Sequence, residues 1–206
     1  MTKHYFSYLA LGDSYTIGEG VTLYESFPYQ TVQLLRSKGL HFHAPEIVAK
    51  TGWTTGELAD RILHTKLNEQ YDFVSLLIGV NNQYRGLNID DYKNEFEFLL
   101  RKAIHFAASQ PQHVIVLSIP DWSVTPFAKE RKQKKITEEI DAFNSINQKV
   151  TAQYKVQYVN ITESSREVAN NSSLITSDKL HYTGIEYAKW AKMLAYVIEK
   201  GVNAKA

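Results

Sequence analysis

Residues 5–14 read Tyr5-Phe6-Ser7-Tyr8-Leu9-Ala10-Leu11-Gly12-Asp13-Ser14, a largely apolar run followed by a glycine, an acid and a serine. A nearly continuous apolar run of this length is typical of a strand that is covered on both faces of a sheet. Four more runs of this kind follow, at 46–49, 73–78, 114–119 and 156–159. Together with 5–11, they predict about five buried strands.

Helical patterns separate these runs, at 28–38, 54–67, 90–109, 137–154 and 184–200. In the third pattern Tyr92, Phe96, Leu99 and Ala103 recur every three or four residues, which predicts one apolar helix face. Strands that alternate with helices pair in parallel through right-handed crossovers. The expected fold is therefore α/β, a three-layer α/β/α flavodoxin-like sandwich around about five parallel strands.

The composition limits the number of domains and the kinds of ligand that we expect. The 206 residues carry no internal repeat or Pro/Gly-rich linker, so residues 1–206 are expected to form a single domain. A net charge of +1 argues against nucleic-acid binding, which usually needs a strongly basic face. The basic run at 129–135 is interpreted as a solvated loop or the start of a helix.

Several protein classes are excluded or disfavoured by residue content. The absence of cysteine rules out disulfides, thiol nucleophiles and cysteine metal sites. No run of 18 apolar residues is present, so no membrane-spanning segment is expected. No signal-peptide pattern follows Met1, which favours a cytoplasmic location, with secretion open if Met1 is not the natural start. Nothing in the sequence indicates an oligomeric state.

Chemistry is expected at the carboxyl ends of the strands, where ligands of open α/β sheets bind. Ser14 follows the first run, Gly52 the second and Asn81 the third. A serine nucleophile needs nearby N–H donors for the developing oxyanion, and a backbone glycine and an amide side chain both supply them. Near the C-terminus, Asp178 precedes His181 by three residues, a spacing at which a carboxylate can orient an imidazole.

Taken one at a time, each of these signals also fits an ordinary turn, and other interpretations stay open. The stretch 51–56 could cradle a phosphate at a helix N-terminus, as in a flavodoxin-like binding module. Asp60 and His64 are interpreted as a surface ion pair on a helix. His41 and His43, with Glu46, form a weak metal-ligand set.

In their order along the chain, the blocks around Ser14, Gly52, Asn81 and His181 resemble those of the SGNH hydrolases, the GDSL-type lipases and esterases, over residues 9–190. The resemblance implies that Ser14 is the nucleophile and first oxyanion donor. It implies that Gly52 and Asn81 are the other donors, that His181 is the base and that Asp178 orients it.

Two positions depart from the family pattern. Tyr15 stands where the family name has leucine, and Asn82 stands where many members have aspartate. Neither departure removes a catalytic group, and Asn82 is expected to affect loop hydrogen bonding rather than chemistry.

The resemblance also implies an activity, the hydrolysis of an acyl ester of a small molecule, carbohydrate or lipid through an acyl-enzyme, without a metal or organic cofactor. Tyr15, Trp53, Tyr84 and Trp122 are expected to border the substrate pocket, since aromatic rings suit an acyl chain or a sugar face. The lack of a long apolar lid insertion favours short acyl groups. An inactive relative that binds acylated sugars is a further alternative.

Overall fold

The computed structural model describes residues 4–203 and contains a five-stranded parallel sheet. The strands are β1 Tyr8–Gly12, β2 Glu46–Ala49, β3 Phe73–Leu77, β4 Val114–Leu117 and β5 Gln157–Val159. Their order across the sheet is β2-β1-β3-β4-β5. The predicted α/β fold is confirmed.

Eight α-helices connect and flank the strands: α1 Ser14–Ile17, α2 Phe27–Ser37, α3 Thr55–Leu63, α4 Val80–Tyr84, α5 Ile89–Phe106, α6 Gln133–Gln153, α7 Thr162–Arg166 and α8 Gly184–Asn203. Six short 3-10 helices complete the secondary structure of the described residues: Leu23–Glu25, Pro111–His113, Trp122–Val124, Pro126–Ala128, Glu167–Asn170 and Ser172–Leu174.

The strand order decides which face each helix covers. The crossover from β1 to β2 runs in the opposite direction to the later crossovers, so right-handed connections place α2 on one face and α3, α5 and α6 on the other. The packing agrees, because α2 packs on α8, whereas α3 packs on α5 and α5 packs on α6. The central strands β1, β3 and β4 are buried along their whole length between these layers.

Strand register aligns the positions from which the site is built. Gly12, at the end of β1, pairs with Ala49 of β2 and with Leu77 of β3. These three strands therefore end at the same level of the sheet. The residues that follow them meet at one edge.

Element boundaries differ from the sequence prediction. The first strand begins at Tyr8, because Phe6 forms only an isolated bridge with Phe42. Helix α5 ends at Phe106, three residues early, since Ala108 and Ser109 take the left-handed conformation with φ of 53° and 59°.

Helix α3 ends at Leu63 rather than residue 67, whereas α6 begins at Gln133 rather than residue 137. Two ion pairs explain the early start of α6, because Lys134 and Lys135 reach the glutamates one turn later, Glu138 and Glu139. The short helices α1, α4 and α7 were not predicted, since four or five residues are too few for a periodic pattern to emerge.

Within residues 4–203, no helix combines the length and apolar character needed to cross a bilayer.

The Asp60–His64 pair lies on the surface as predicted, with 3.3 Å between Oδ1 and Nδ1 and both side chains more than 70% exposed.

Candidate active site

Three side chains from opposite ends of the chain form a hydrogen-bonded row. The Ser14 Oγ lies 2.9 Å from the His181 Nε2, and the His181 Nδ1 lies 2.6 Å from the Asp178 Oδ2. Ser14 and His181 are 4% and 8% exposed, so their contact is largely shielded from water. The structure thus joins Ser14 to the pair of Asp178 and His181, which lies at the other end of the sequence.

The segment around Ser14 is held by tight packing beneath it. A Cβ added to Gly12 would lie 2.1 Å from the Thr16 Oγ1 and 2.4 Å from the Leu77 carbonyl oxygen. Gly12 does not have a positive φ, so the glycine is required there by the close approach of its neighbours rather than by its backbone conformation. The side chain of Asp13 then caps α1 by accepting the Tyr15 N–H at 3.0 Å.

Hydrogen bonds stabilise the ionised form of the Asp178 side chain. Its Oδ1 accepts the N–H of Leu180 at 2.8 Å, the N–H of His181 at 2.9 Å and the Thr176 hydroxyl at 2.7 Å. Partial burial raises the pKa of Asp178, but the hydrogen bonds from His181, Leu180 and Thr176 together hold that pKa well below its ordinary value.

The ionised Asp178 decides the tautomer of His181. Since a carboxylate only accepts hydrogen bonds, the proton shared with Asp178 belongs to the His181 Nδ1. The Nε2 is then left to accept the hydroxyl proton of Ser14. This is the arrangement that a histidine base requires.

Gly52 lies in a loop that is fixed from both sides. The Arg85 Nη2 donates to the Gly52 carbonyl at 2.5 Å, and Arg85 also pairs with Glu57 at 3.3 Å. On the other side, the Thr51 hydroxyl donates to Glu19. Gly52 has a φ of +83°, which a residue with a side chain rarely adopts.

Asn81 lies in α4 immediately after β3. Its Nδ2 donates to the Trp53 carbonyl at 2.9 Å, which leaves the second hydrogen of the amide available. The neighbouring Asn82 is buried, and its amide bonds the Thr55 N–H and hydroxyl at 3.0 and 2.6 Å. Asn82 therefore ties α4 to the first residue of α3 through hydrogen bonds.

These residues surround one small cavity of about 190 Å³. Its lining consists of Ser14, Tyr15, Thr51, Gly52, Val80, Asn81, Tyr84, Trp122, Phe127, Leu180 and His181. At about 30 Å³ per water molecule, the cavity has room for roughly six waters. A larger, open depression of about 650 Å³ lies between the C-terminal ends of α3 and α5, and none of the residues that line the small cavity lines it.

The predicted pocket residues are only partly brought together. Tyr15, Tyr84 and Trp122 line the cavity, whereas Trp53 does not and contributes its carbonyl to Asn81 instead. Phe127 and Leu180 line it without having been assigned to the pocket. The position of Leu180 next to His181 was the available signal, as was that of Phe127 in the aromatic loop after β4.

Two alternative sites receive no support from the geometry. Glu19 places a carboxylate beside the loop at 51–56, which opposes the binding of a phosphate there. The rings of His41 and His43 both contact that of Tyr5, whereas Glu46 accepts the Tyr71 hydroxyl at 2.5 Å. Among residues 4–203, no group of three metal-ligating side chains lies close enough to hold an ion.

The chain matches the model of a known family over most of its length. Residues 10–188 match the model of the GDSL-like Lipase/Acylhydrolase family. The chain belongs to this family. No curated protein matches the sequence of this GDSL-like chain.

Solved structures show the same fold. TesA superposes with a TM-score of 0.74 at 16% identity, covering 94% of this chain and 98% of TesA. A lipase/acylhydrolase from Enterococcus faecalis gives 0.72 at 20% identity, with 95% and 96% covered. Axe2, an acetylxylan esterase from Geobacillus stearothermophilus, gives 0.73 at 16% identity, with 94% of each chain covered. The GDSL-like chain thus shares its fold with these three proteins.

Proposed function

We propose that this protein is a serine esterase that hydrolyses carboxylic acyl esters with short acyl groups through an acyl-enzyme. The observation that carries the proposal is the row formed by Asp178, His181 and Ser14, which ends at a small cavity that Gly52 and Asn81 also line. Membership of a family of lipases and acylhydrolases supports the same reaction class.

In the first half-reaction, the His181 Nε2 removes the proton of the Ser14 hydroxyl as the Ser14 Oγ attacks the ester carbonyl carbon. The negative charge that develops on the carbonyl oxygen is stabilised by the N–H groups of Ser14 and Gly52 and by the free amide hydrogen of Asn81. When the tetrahedral intermediate collapses, His181 gives its proton to the leaving alcohol.

In the second half-reaction, His181 removes a proton from water, and the resulting hydroxide attacks the acyl-enzyme. The acid leaves, and the proton returns to Ser14. Asp178 stabilises the imidazolium form of His181 in both halves, because it is a hydrogen-bonded anion 2.6 Å from the Nδ1.

The size of the cavity supports a preference for short acyl groups. A space of about 190 Å³ suits a group of a few non-hydrogen atoms and is too small for a long fatty chain. Axe2, whose name describes it as an acetylxylan esterase, is a structural neighbour with a small acyl substrate. An inactive relative that only binds acylated sugars would have no need of the complete Ser14–His181–Asp178 row.

The test is hydrolysis of p-nitrophenyl acetate, butyrate and octanoate by the wild type and by Ser14→Ala. We expect activity that declines from the shorter esters to octanoate, and a loss of about 10⁵–10⁶-fold in kcat in the variant, because the nucleophile is gone. Ser37→Ala, at the exposed end of α2, is the matched control and should keep wild-type turnover. Full turnover in Ser14→Ala would overturn the assignment.

A further inference from the structure

The basic run at 129–135 divides into two parts in the structure. Lys134 and Lys135 lie in the first turn of α6 and pair with Glu138 and Glu139 at 3.9 and 3.4 Å. These two lysines are therefore solvent-exposed residues at the start of a helix. The part that precedes the helix, which contains Arg131, lies instead against the wall of the cavity.

Arg131 rests on three aromatic rings. Its guanidinium carbon lies 4.8 Å from the ring centre of Phe127, 5.3 Å from that of Tyr84 and 5.5 Å from that of Trp122. The same three rings line the cavity that contains Ser14 and His181. Arg131 itself is exposed and does not line the cavity, so its positive charge lies beside the rings that form the aromatic wall of the proposed active site.

This wall is joined to the catalytic segment. The Phe127 N–H donates to the Lys179 carbonyl at 3.0 Å, and Lys179 is two residues from His181. Trp122 is fixed as well, because its Nε1 donates to the Gln83 Oε1 at 2.8 Å. The rings that hold Arg131 are thus anchored to the elements that carry the catalytic groups.

The charge of Arg131 is not neutralised. Within the part of the chain that the structure describes, no carboxylate oxygen lies within 4.0 Å of the side-chain nitrogens of Arg131, Lys129 or Lys132. The carboxylates that contact lining residues have other partners, since Asp178 bonds His181 and Glu19 bonds Thr51.

The donors of Arg131 are largely unused. A guanidinium has five N–H donors in a planar fork, and here the Nη2 makes a long hydrogen bond of 3.3 Å to the Tyr84 hydroxyl. Arg131 is exposed, and apart from this bond the edge of its guanidinium has no hydrogen-bond partner among the described residues. That edge is the part that binds a carboxylate or phosphate with two parallel hydrogen bonds.

We propose that Arg131 binds an anionic group of the substrate, so that the enzyme prefers acyl esters that carry a carboxylate or a phosphate. This inference rests on the proposed esterase function and adds the chemical class of its substrate. Lys129 and Lys132 increase the positive potential around the same position and favour the approach of an anion.

The test compares matched esters that differ in charge. One pair, 4-nitrophenyl hydrogen glutarate and 4-nitrophenyl pentanoate, varies the charge on the acyl group. A second set, 4-acetoxybenzoate, 4-acetoxyphenyl phosphate and methyl 4-acetoxybenzoate, varies it on the alcohol and separates carboxylate from phosphate. In the wild type we expect kcat/KM to be about tenfold higher for the anionic member of at least one comparison, as a partly exposed charged hydrogen bond allows.

The variants identify the residue responsible. In Arg131→Gln the ratio of anionic to neutral kcat/KM should fall to about one, whereas Lys134→Gln should keep the wild-type ratio. Arg131→Lys keeps the charge without the planar fork and should give an intermediate ratio. In the wild type the ratio should decrease as the ionic strength rises, and this measurement does not depend on a variant that folds.

Failure of this inference is distinguishable from failure of the esterase assignment. Hydrolysis of the neutral esters without a preference for any anionic ester, or equal changes in Arg131→Gln and Lys134→Gln, would overturn the role of Arg131 alone. If no ester is hydrolysed, titration calorimetry of the Ser14→Ala protein with 4-acetoxybenzoate and its methyl ester measures the same site. Equal binding of the two compounds would again overturn the inference, and tighter binding of the anion that is lost on adding Arg131→Gln would support it.

Discussion

Two aspartates, Asp13 and Asp178, lie next to the Ser14–His181 pair, and the structure shifts their pKa values in opposite directions. The Asp178 side chain is 40% exposed and has a lowered pKa, whereas Asp13 is 1% exposed. Burial raises the pKa of Asp13 to about 7, and the hydrogen bond from the Tyr15 N–H offsets this only in part. Asp178 is therefore an anion across the physiological range, and Asp13 retains its proton up to about neutral pH.

The difference comes from the supply of donors. Asp178 receives four hydrogen bonds, from Leu180, Thr176 and twice from His181. The Oδ2 of Asp13 is buried without a hydrogen-bond partner among the described residues. A carboxyl that loses water without gaining donors is more stable when neutral.

This division suits the proposed chemistry. An anion is useful beside His181, where positive charge develops, and it is harmful beside the oxyanion, where it would repel the developing negative charge. Asp13 is adjacent to the nucleophile in the chain, and its proton keeps that position neutral below about pH 7. The following predictions test whether the two carboxyls differ in this way.

The largest effect is expected for Asp178→Asn. An amide can donate to the Nδ1 of His181 and so favour the tautomer that carries its proton on the Nε2, which cannot act as the base. We expect kcat for p-nitrophenyl acetate to fall by about 10³–10⁴-fold while the protein stays folded. Asp60→Asn, which changes the exposed partner of His64, is the control and should leave kcat unchanged. A loss of less than tenfold in Asp178→Asn would mean that an anion is not needed beside His181.

Asp13→Asn tests the other carboxyl through the pH dependence of stability. Because the pKa of Asp13 is raised from 3.8 to about 7, the folded protein binds this proton more tightly than the unfolded chain. The free energy of unfolding then decreases between about pH 4 and pH 7, by roughly 4 kcal/mol for a shift of this size. An asparagine has no proton to lose, so the variant should lack this decrease.

Urea denaturation of the wild type and of Asp13→Asn at pH 4 and pH 8 measures the effect. Relative to the wild type, the variant should gain about 4 kcal/mol on going to the higher pH. If both proteins show the same change between the two pH values, Asp13 is not the neutral carboxyl that the comparison requires.

The arrangement of the strands and the meeting of Ser14, Gly52 and Asn81 could be predicted from the sequence. Continuous apolar runs predict buried parallel strands. Because parallel strands end at the same edge of the sheet, the residues that follow them lie close together there. The register of Gly12 with Ala49 and Leu77 then sets how closely these residues approach. Asp178 and His181 could be paired because their spacing is local.

The contacts that adjust the site could not be predicted in the same way. Arg85 reaches the Gly52 carbonyl, 33 residues away, and Arg131 reaches one ring at the end of α4 and two rings in the segment after β4. Long, flexible side chains make such contacts without leaving a periodic pattern. The neutral state of Asp13 depends on donors that are absent from its surroundings, and only the folded structure reveals such an absence.

The smallest effect is expected for Thr176→Val, which removes one donor from Asp178 and keeps the shape of the side chain. The Thr176 hydroxyl has a single hydrogen, and of the two acceptors within reach the Asp178 Oδ1, at 2.7 Å, is nearer than the His181 carbonyl oxygen, at 3.0 Å. Its loss should raise the pKa of Asp178 toward the ordinary value of 3.8 and lower the free energy of unfolding at pH 7 by about 1 kcal/mol.

The sign of the pH dependence separates this effect from a simple packing defect. A lowered carboxyl pKa stabilises the folded protein above pH 3.8 and ceases to do so as the pH falls through the folded value. The part of the destabilisation of Thr176→Val that acts through Asp178 should therefore be full at pH 7 and shrink in acid, whereas a packing defect would persist. Thr176→Ser keeps the donor and should retain the stability of the wild type at pH 7.

Since Asp178 keeps three of its four donors, kcat should fall less than tenfold in Thr176→Val. A loss as large as that of Asp178→Asn would show that a single hydroxyl, rather than the set of donors, distinguishes Asp178 from Asp13.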